Sequence, residues 1–439
     1  MAVTPKLNFR LQKCSCFNKK GFDNEKAHKF HSNDKKFLFI PSYKQCIELT
    51  DEEFDCNEDF LYNKYIKFLE DSDSNEFLTN KNERYGLFLN VSNLCNMRCI
   101  YCFAHQGNYG NENALMNFNI AKQAVDKYLN YVPKDSDAYI IFFGGEPLMA
   151  YDTIVETVNY IQNNHQSSNY KFHLVTNGVF LTNEIIDFLA DNNFGVAVSI
   201  DGGEKIQNIQ RPLANGKDSF YESTKNLKYL FHKIENVHVR GTYWDYSQSM
   251  VDIYQDLLSI GFKEISLPPD ILDITNNFKK DRLLRELDDL HQFIVDYSNS
   301  SSTFPFGDFT THIRRLFIPK LNTDYTCGLG FSTFSVIPNG DIFPCHRFCS
   351  VPESKLGNVL EEKPLQSVHI PETAGCRECW NPFPCSHGCK FNDYSINKKN
   401  TNWCIYSKKM TEICLSLCSE LPEQTLLNIL TLKREQIYS

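Results

Sequence analysis

Three cysteines of the segment CNMRCIYCF, Cys95, Cys99 and Cys102, lie within eight consecutive residues. The chain has 17 cysteines in 439 residues, so chance alone predicts roughly 0.03 occurrences of this Cys-x3-Cys-x2-Cys spacing. Three thiolates can bind three irons of a 4Fe-4S cluster and leave the fourth iron free to bind another ligand. A structural zinc site, the alternative interpretation, would require a fourth Cys or His nearby. The spacing therefore favours an iron-sulfur cluster with one open coordination position.

A second group of cysteines lies in the C-terminal part of the chain. Ten of the 17 cysteines follow residue 303, where long periodic segments are few and turn residues are many. Four of them have the spacing Cys-x2-Cys-x5-Cys-x3-Cys and could by themselves form a zinc knuckle: Cys376, Cys379, Cys385 and Cys389. Metal, rather than a large apolar core, is predicted to organise this segment.

Composition restricts the class of partner. The formal net charge is -9 and long runs of Lys or Arg are absent from the sequence, which argues against nucleic acid held through its phosphates. No apolar run reaches the length of about 18 residues that predicts a membrane span, and the N-terminal MAVTPKLNFRLQKCSC lacks the apolar region of a secretory signal. We therefore expect a cytoplasmic protein of two or three domains that acts on small molecules or peptides, with no nucleic-acid and no membrane partner.

Short apolar runs alternate with helical patterns after residue 81. Six runs predict strands, at 85–91, 139–143, 172–176, 194–200, 237–242 and 265–267. Strands separated by helices predict right-handed βαβ units and a parallel sheet, either open or curled into a barrel. Ligands bind at the carboxyl ends of the strands in such folds, and the cysteine segment directly follows the first strand.

Residues before this region have a different pattern. Two short strands are predicted at 37–40 and 46–49, followed by a helix that begins with a capping box formed by Thr50 and Glu53. Polar linkers predict domain boundaries near residues 81 and 303. The resulting domains are 1–80, 81–303 and 304–420, with a tail at 421–439.

The cysteine segment, with Tyr101 between its last two cysteines, resembles the cluster loop of the radical S-adenosylmethionine (SAM) enzymes. The second predicted strand ends in a matching motif of that family, Gly144, Gly145, Glu146 and Pro147. The resemblance implies that the open iron binds the amino and carboxylate groups of SAM. It also implies that the GGEP segment holds the SAM amino group through backbone oxygen and Glu146. Tyr101 and Phe103, beside Cys102, belong to the same predicted cofactor site.

Further segments resemble family positions near the ribose and the reacting centre. They follow the third and fourth strands, where Asn177 lies in TNG and Ser199 and Asp201 lie in SIDG. Weaker candidates for binding the ribose or carboxylate are Arg211, Arg240 and Thr242; each of these polar residues could instead only form a turn. The chemistry that the resemblance implies is reductive cleavage of SAM to a 5'-deoxyadenosyl radical, which removes a hydrogen atom from an unactivated substrate carbon.

The C-terminal cysteines resemble the SPASM domain, which carries auxiliary iron-sulfur clusters in radical enzymes that modify peptides and proteins. The resemblance implies one cluster on Cys376, Cys379, Cys385 and Cys404, and three ligands of a second cluster at Cys327, Cys345 and Cys389. The second cluster lacks a fourth cysteine in the stretch 321–326, where related chains have one. Either its fourth iron is open, which we favour, or Cys349 completes the set.

The residue after Cys345 bears on the substrate. Sulfatase-maturing members of the family have an Asp at this position, where it acts as a base, and this chain has His346. An imidazole can accept a proton near neutral pH, so His346 is the candidate catalytic base, with a packing role as the alternative. The substitution counts against sulfatase maturation.

We therefore expect an α/β fold: a partial (β/α)6 TIM-like radical SAM barrel, a cysteine-rich C-terminal SPASM domain and a small α+β N-terminal domain that could bind a precursor peptide. The resemblance implies a cross-linking enzyme for ribosomally made precursor peptides, with SAM, a SAM-binding 4Fe-4S cluster, two auxiliary clusters and a reductant such as flavodoxin or ferredoxin. The first alternative is an anaerobic sulfatase-maturating, formylglycine-generating enzyme. The second is a zinc protein without enzymatic activity that binds a partner through its cysteine-rich half.

Overall fold

The computed structural model describes residues 27–32, 35–41, 45–70, 84–166, 168–244, 246–317, 327–368, 376, 379–385 and 387–431. These residues form two compact units. The helical unit contains the described residues of 1–80, 271–324 and 372–432, and the barrel unit contains those of 81–270 and 325–371. Within the described residues, no helix is both long enough and apolar enough to cross a membrane. The predicted boundary near residue 81, the stretch 321–326 and residues 432–439 of the predicted tail lie outside the described residues.

The helical unit begins with a small antiparallel sheet. Its strands are β1 (His28–Ser32), β2 (Lys35–Ile40) and β3 (Gln45–Leu49), with β2 in the middle. The sequence predicted β2 and β3, but β1 has the polar sequence HKFHS and gave no strand pattern. The predicted capping box of Thr50 and Glu53 is present, but the helix it starts, α1 (Asp51–Phe54), is only four residues long. The chain restarts as α2 (Glu58–Glu70), which together with the sheet encloses an apolar core.

The barrel unit is built on one nine-stranded sheet. All six strands predicted in this region are present: β4 (Arg84–Ser92), β5 (Asp137–Gly144), β6 (Tyr170–Thr176), β7 (Gly195–Val198), β8 (Val237–Arg240) and β9 (Ile265–Ser266). They pair in parallel in chain order, as the βαβ pattern predicted. Their interior residues are mostly apolar and mostly buried, as expected of a parallel sheet covered on both faces, with Asn90, His173 and His238 as buried polar exceptions.

The sheet has a second part that the sequence did not predict. The strand β10 (Thr333–Val336) pairs in parallel with the free side of β4, and β11 (Asp341–Phe343) and β12 (Gly357–Asn358) continue it in antiparallel fashion. A pairing between segments about 250 residues apart leaves no local signal in the sequence. Because of it, residues 327–358 extend the same sheet that carries the first cysteine segment.

Helices connect the parallel strands. They are α3 (Phe118–Tyr131), α4 (Tyr151–Asn164), α5 (Asn183–Asp191), α6 (Glu204–Gln210), α7 (Phe220–Thr224), α8 (Leu227–Lys233) and α9 (Met250–Ile260). Three of them start at side-chain N-caps, at Asn117, Thr182 and Ser249. The α9 helix ends at Gly261, whose φ of 112° is the left-handed conformation that glycine adopts without strain. Because each helix returns the chain to the start of the next strand, the carboxyl ends of the parallel strands lie at the same edge of the sheet.

The rest of the helical unit is a helix cluster. It contains α10 (Asn277–Ser300), α11 (Gly307–Phe317), α12 (Pro382–Cys385), α13 (Lys390–Ser395), α14 (Thr401–Glu420) and α15 (Glu423–Thr431). The central helix α14 packs against α10 and α11 and buries Met410, Ile413, Leu415 and Leu417. This segment therefore has a larger apolar core than the cysteine-rich sequence predicted. At the end of α14, Glu420 pairs with the buried His291 of α10 at 2.7 Å.

Candidate active site

The loop between β4 and α3 carries Cys95, Cys99 and Cys102, all three as partly buried free thiols. Its first half is held like a strand against the segment after α6. Arg98 N donates to Pro212 O at 2.8 Å and Ile100 N donates to Gln210 O at 3.0 Å. This pairing fixes the backbone between the cysteines.

Glycines bring the end of β5 against this loop. The Gly145 N–H donates to Ser92 O at 2.7 Å. A Cβ at Gly145 would lie 2.3 Å from Leu94 O, and one at Gly144 would lie 2.3 Å from Ser92 O. Gly107 comes from the other side, where a Cβ would lie 2.7 Å from the Cβ of Cys95. Only glycine permits these approaches, so the cysteine loop is cradled by backbone rather than by side chains.

The Glu146 carboxylate lies at the centre of this arrangement and is 1% exposed. Oε1 accepts hydrogen bonds from Leu148 N at 3.1 Å and from the Thr176 hydroxyl at 2.7 Å. Oε2 accepts a hydrogen bond from Asn177 N at 2.8 Å. Burial raises the pKa of Glu146 to about 7, although these hydrogen bonds favour the ionised form. The side chain therefore joins the ends of β5 and β6, and Pro147, buried beside it, begins the following 3-10 turn.

Asn177 reaches the cysteine loop directly. Its Nδ2 donates to Asn96 Oδ1 at 2.7 Å and lies 4.0 Å from Cys95 Sγ. Ser199, at the end of β7, donates through its backbone N–H to Thr176 O at 2.8 Å. The TNG and SIDG segments thus lie at neighbouring strand ends, beside the cysteine loop. Asn96 was not among the predicted site residues, although its place inside the cysteine segment was a usable signal.

A buried polar network joins Tyr101, Asp201 and Arg211. The Tyr101 hydroxyl donates to Asp201 Oδ2, and Arg211 Nη1 donates to the Tyr101 hydroxyl at 2.8 Å. Arg211 Nη1 also lies 3.6 Å from Asp201 Oδ1, which accepts a hydrogen bond from Thr242 N at 3.0 Å. Burial raises the pKa of Asp201, and the positive charge of Arg211 opposes that rise. The network ties the cysteine loop to the ends of β7 and β8.

Sequence reasoning missed two buried members of this region. Gln207, 0% exposed on α6, accepts a hydrogen bond from Asp201 N at 3.0 Å. Tyr109, 1% exposed, has a φ of 57° and donates through its hydroxyl to Gly144 O at 3.4 Å. Neither residue lies in a recognisable motif, so only the folded chain identifies them.

His346 lies in an aromatic wall. Its ring centroid is 4.4 Å from that of Phe88, 4.8 Å from that of Phe143 and 5.9 Å from that of Phe103. Burial, with the positive charges of Arg347 and Arg240, lowers the pKa of His346 to about 3. The imidazole is therefore neutral near pH 7 and is a weak base, so its low proton affinity does not favour the predicted role as a catalytic base, and its ring contacts fit the alternative packing role.

Cys345 and Cys349 lie on either side of His346 in sequence and differ in environment. The Cys345 Sγ lies 3.8 Å from His346 Nδ1 and accepts a hydrogen bond from Arg347 N at 3.4 Å. Cys349 is 2% exposed; its thiol donates to Ser335 Oγ at 3.4 Å and accepts from Asn90 Nδ2 at 3.5 Å. Cys327 is exposed in the barrel unit, and Cys389 caps α13 in the helical unit. The Cys349 thiol is thus engaged by polar neighbours of its own.

Four of the predicted cluster cysteines line one cavity of the helical unit: Cys376, Cys379, Cys385 and Cys404. Cys389 is not among its lining residues. The cavity therefore contains the set that the SPASM resemblance predicted and not the zinc-knuckle set. Within the described residues, no three His, Cys, Asp or Glu side chains meet closely enough to bind one metal ion. The thiolates of a 4Fe-4S cluster each bind a different iron, so they need not meet at one point.

The donor sets fit the implied groups. Three free thiols on a preformed loop, cradled by glycines, fit a 4Fe-4S cluster with one open iron, and four free thiols around a cavity fit a fully ligated one. Polar groups at the ends of β5 to β8 surround the first set. This is the arrangement in which parallel α/β folds bind ligands.

Comparisons with known proteins agree with this geometry. The model of the radical SAM superfamily matches residues 89–257. A protein of Methanocaldococcus jannaschii without known function is 37% identical over 294 residues, 66% of this chain and 93% of that protein. The cysteine-type anaerobic sulfatase-maturating enzyme of Clostridium novyi is 26% identical over 342 residues, 71% of this chain and 89% of the enzyme. The radical SAM cyclopropyl synthase TigE of Paramaledivibacter caminithermalis is 26% identical over 276 residues, 58% of this chain and 56% of the enzyme.

Solved structures share the fold. Native anSMEcpe with bound AdoMet and Cp18Cys peptide has a TM-score of 0.63 at 19% identity, covering 76% of this chain and 98% of that one. Streptococcus suis SuiB bound to the precursor peptide SuiA has a TM-score of 0.50 at 14% identity, covering 86% and 98%. Both have the partial TIM-like barrel architecture that the sequence predicted. The matched segment contains Cys95 to Cys102, Glu146 and Asp201, and this chain is an enzyme of the radical SAM superfamily.

Proposed function

We propose that this enzyme modifies a ribosomally synthesised precursor peptide, removing a hydrogen atom from a side-chain or α carbon and forming an intramolecular carbon-carbon, thioether or ether cross-link. The observation that carries the proposal is His346, a neutral ring among Phe88, Phe103 and Phe143, at the position where the family resemblance predicts an Asp in sulfatase-maturing members. An apolar wall here excludes water and suits a carbon-centred reaction.

The residues proposed to hold the cofactors lie at the strand ends. Cys95, Cys99 and Cys102 would hold the 4Fe-4S cluster, which with SAM supplies the 5'-deoxyadenosyl radical when bound. The backbone of Gly144 and Gly145 packs against the cysteine loop, and the Glu146 carboxylate already accepts hydrogen bonds from three protein donors. We therefore propose that Glu146 shapes the site and that its backbone contacts the SAM amino group.

Arg211 is the proposed partner of the SAM carboxylate. Its guanidinium is held by Tyr101 and Asp201, and a fork of donors matches a carboxylate. Asn177 and Ser199, at the neighbouring strand ends, are proposed to contact the rest of SAM. Arg240 and Thr242, at the end of β8, are proposed to line its far side.

The second cysteine set is proposed to hold auxiliary clusters. Cys376, Cys379, Cys385 and Cys404 would bind one cluster, and Cys327, Cys345 and Cys389 would bind another with an open iron. The hydrogen bonds of the Cys349 thiol to Asn90 and Ser335 support the open site over a fourth thiolate from Cys349. The proposed role of these clusters is to accept the second electron of the oxidation, while flavodoxin or ferredoxin delivers the first.

The N-terminal residues are proposed to hold the leader of the peptide. The sheet of β1, β2 and β3 ends in two edge strands, and a peptide can add to such an edge as a further strand. The domain organisation we propose keeps the predicted ranges 1–80, 81–303, 304–420 and 421–439.

The proposal is tested by co-expressing the chain with a candidate precursor peptide, taken from any short open reading frame next to its gene. We expect the peptide to lose two hydrogen atoms per cross-link, measured by mass spectrometry, and to remain unmodified with the Cys102→Ala variant. A peptide that is bound but never dehydrogenated by active enzyme would overturn the proposal. Anaerobically purified protein should contain roughly eight to twelve irons per chain, whereas zinc alone would favour the non-enzymatic alternative.

Formylglycine formation is the second candidate function, because the Clostridium novyi relative matches this chain over 89% of its own length. A sulfatase-motif peptide with Cys or Ser at the target position separates the two functions. We expect the wild-type enzyme to leave this peptide unchanged. The His346→Asp variant should have the most formylglycine activity, since the substitution introduces the carboxylate base that the family resemblance predicts in sulfatase-maturing members. Efficient formylglycine formation by the wild type would replace the cross-linking proposal.

A further inference from the structure

Trp403 and Lys399 lie against the cysteine cavity of the helical unit, beside the four proposed ligands. The indole Nε1 of Trp403 donates a hydrogen bond to Cys385 Sγ at 3.3 Å. Trp403 directly precedes Cys404 on α14, so one turn of helix supplies both a thiol and a donor to another thiol. Indole N–H is a donor only, and here the Cys385 sulfur accepts its hydrogen bond.

The position of the indole is fixed from two sides. Gly388 has a φ of 78°, and a Cβ there would lie 2.8 Å from Trp403 Cδ1 and 3.0 Å from its Nε1. A glycine is therefore required beneath the ring. Asn400 caps α14 by accepting a hydrogen bond from Trp403 N at 3.1 Å, and its own N–H donates to Asp393 Oδ1 at 2.8 Å. These contacts aim the N–H at the cavity instead of at solvent.

Lys399 brings a positive charge to the same cavity. Lys399 is partly buried in the cavity lining, where its positive charge lies near the thiols of Cys404, Cys376 and Cys379. The neighbouring Lys398 has the same charge but is exposed and does not line the cavity. Asp393, the acidic residue in the lining, is already engaged by the backbone of Asn400. The lining also contains Lys408, so two lysines and one carboxylate line the cavity and the balance of these side-chain charges is positive.

We propose that Lys399 and Trp403 raise the reduction potential of the cluster bound by Cys376, Cys379, Cys385 and Cys404 and so make it an electron acceptor. The inference depends on the cluster assignment made in the proposed function. Reduction adds a negative charge to a cluster, and a nearby cation or a hydrogen bond to a ligand sulfur stabilises the more negative form. Lys399 and Trp403 are positioning and tuning residues; neither is a ligand.

The test is a redox titration of the anaerobically prepared full chain, followed by electron paramagnetic resonance, with iron counted in each sample. We expect Lys399→Met and Trp403→Phe each to move the midpoint of one cluster to more negative potential, with a larger shift in the double variant. Lys399→Arg, which keeps the charge, should shift it less. Lys398→Met is the matched control and should leave every midpoint unchanged.

The outcomes separate the inference from the cluster assignment. Full iron content with unchanged midpoints in Lys399→Met and Trp403→Phe would overturn the inference and leave the assignment intact. If wild type and Cys376→Ala contain the same iron, the assignment itself is wrong. Trp403→Phe keeps an aromatic ring and removes only the N–H donor. If Lys399→Met does not bind the cluster, the midpoint potential of Trp403→Phe therefore tests the inference.

Discussion

The cysteine loop after β4 and the cysteine cavity of the helical unit both present cysteine sulfurs, but they differ in the number of thiols and in the residues that surround them. The loop offers three thiols from one continuous segment, and its surroundings are polar groups from the ends of β5, β6, β7 and β8. The cavity offers four thiols from two segments, and its other lining residues lie between Asn381 and Lys408 of the same unit. A set of three leaves a coordination position for a ligand, and a set of four closes it.

The two regions also differ in what fixes them. The loop is positioned by backbone hydrogen bonds and by the network of Tyr101, Asp201 and Arg211. The cavity is positioned by a helix cap at Asn400 and by the indole of Trp403 above Gly388. The first site is formed by strands that are distant in sequence, and the second by short segments that are close in sequence. Mutations in the two sites should therefore have different effects.

The largest expected effect separates the two sets of ligands. Cys102→Ala and Cys404→Ala should each reduce the iron content by about four per chain. Only Cys102→Ala should abolish reductive SAM cleavage, because the open iron belongs to the loop. Iron analysis and an assay for 5'-deoxyadenosine measure the two effects. Loss of SAM cleavage in Cys404→Ala, with the remaining clusters intact, would contradict the division of roles.

The next effect concerns the buried network of the loop. Asp201→Ala should lower the free energy of unfolding by about 3 kcal/mol, since it leaves the charge of Arg211 buried without its carboxylate. Adding Arg211→Met should recover part of that loss, measured by urea unfolding. Asp187→Ala, which breaks the exposed pair with Lys233, is the control and should change stability little. Equal effects of the two Asp substitutions would mean that the network does not hold the loop.

The pH dependence of stability should have opposite signs in the two regions. The pKa of Glu146, beside the loop, is raised from 4.5 to about 7, so its contribution to stability is lost as pH rises through that window. The pKa of His312 is lowered from 6.5 to about 3 by burial and Arg315, so its contribution is lost as pH falls below 6.5. His312 bonds Thr411 at 2.7 Å, which bonds Asn381 at 2.8 Å beside the cavity.

Each residue should contribute a slope of about 1.4 kcal/mol per pH unit between about pH 5 and pH 6.5. Relative to wild type, Glu146→Gln should therefore gain stability as pH rises and His312→Gln should lose it. Urea unfolding at several pH values in this range measures both slopes. If the free energies of unfolding of the two variants, relative to wild type, changed in the same direction with pH, the titrating groups would be other residues.

The smallest effect is expected at Cys349. Cys349→Ser should keep the iron content and change the free energy of unfolding by less than about 1 kcal/mol, because a hydroxyl can keep the hydrogen bonds with Asn90 and Ser335. Cys345→Ser is the matched variant and should lose iron. Iron loss in Cys349→Ser would identify this thiol as the fourth ligand and would remove the open position from the second auxiliary cluster.

Much of the barrel unit could be predicted from the sequence. The six parallel strands are read from short apolar runs, because a strand buried on both faces is mostly apolar. The strand β1, with its polar sequence HKFHS, and the pairing of β10 with β4 could not be predicted, since neither leaves a periodic signal. For the cavity, spacing alone left Cys389 and Cys404 as competing members, and the folded chain lines the cavity with Cys404.

The sequence by itself determined the donors of the loop after β4, which are three thiols at one spacing, and the glycines that permit close backbone contact. These features are local, because ligands on one loop are placed by the few residues between them. The tertiary structure decided which distant groups meet the donors, such as Asp201 with Tyr101, Glu146 with Thr176, and His346 with Phe88. Such contacts depend on strand register and helix packing, which are set by the burial of the whole core and not by any single segment.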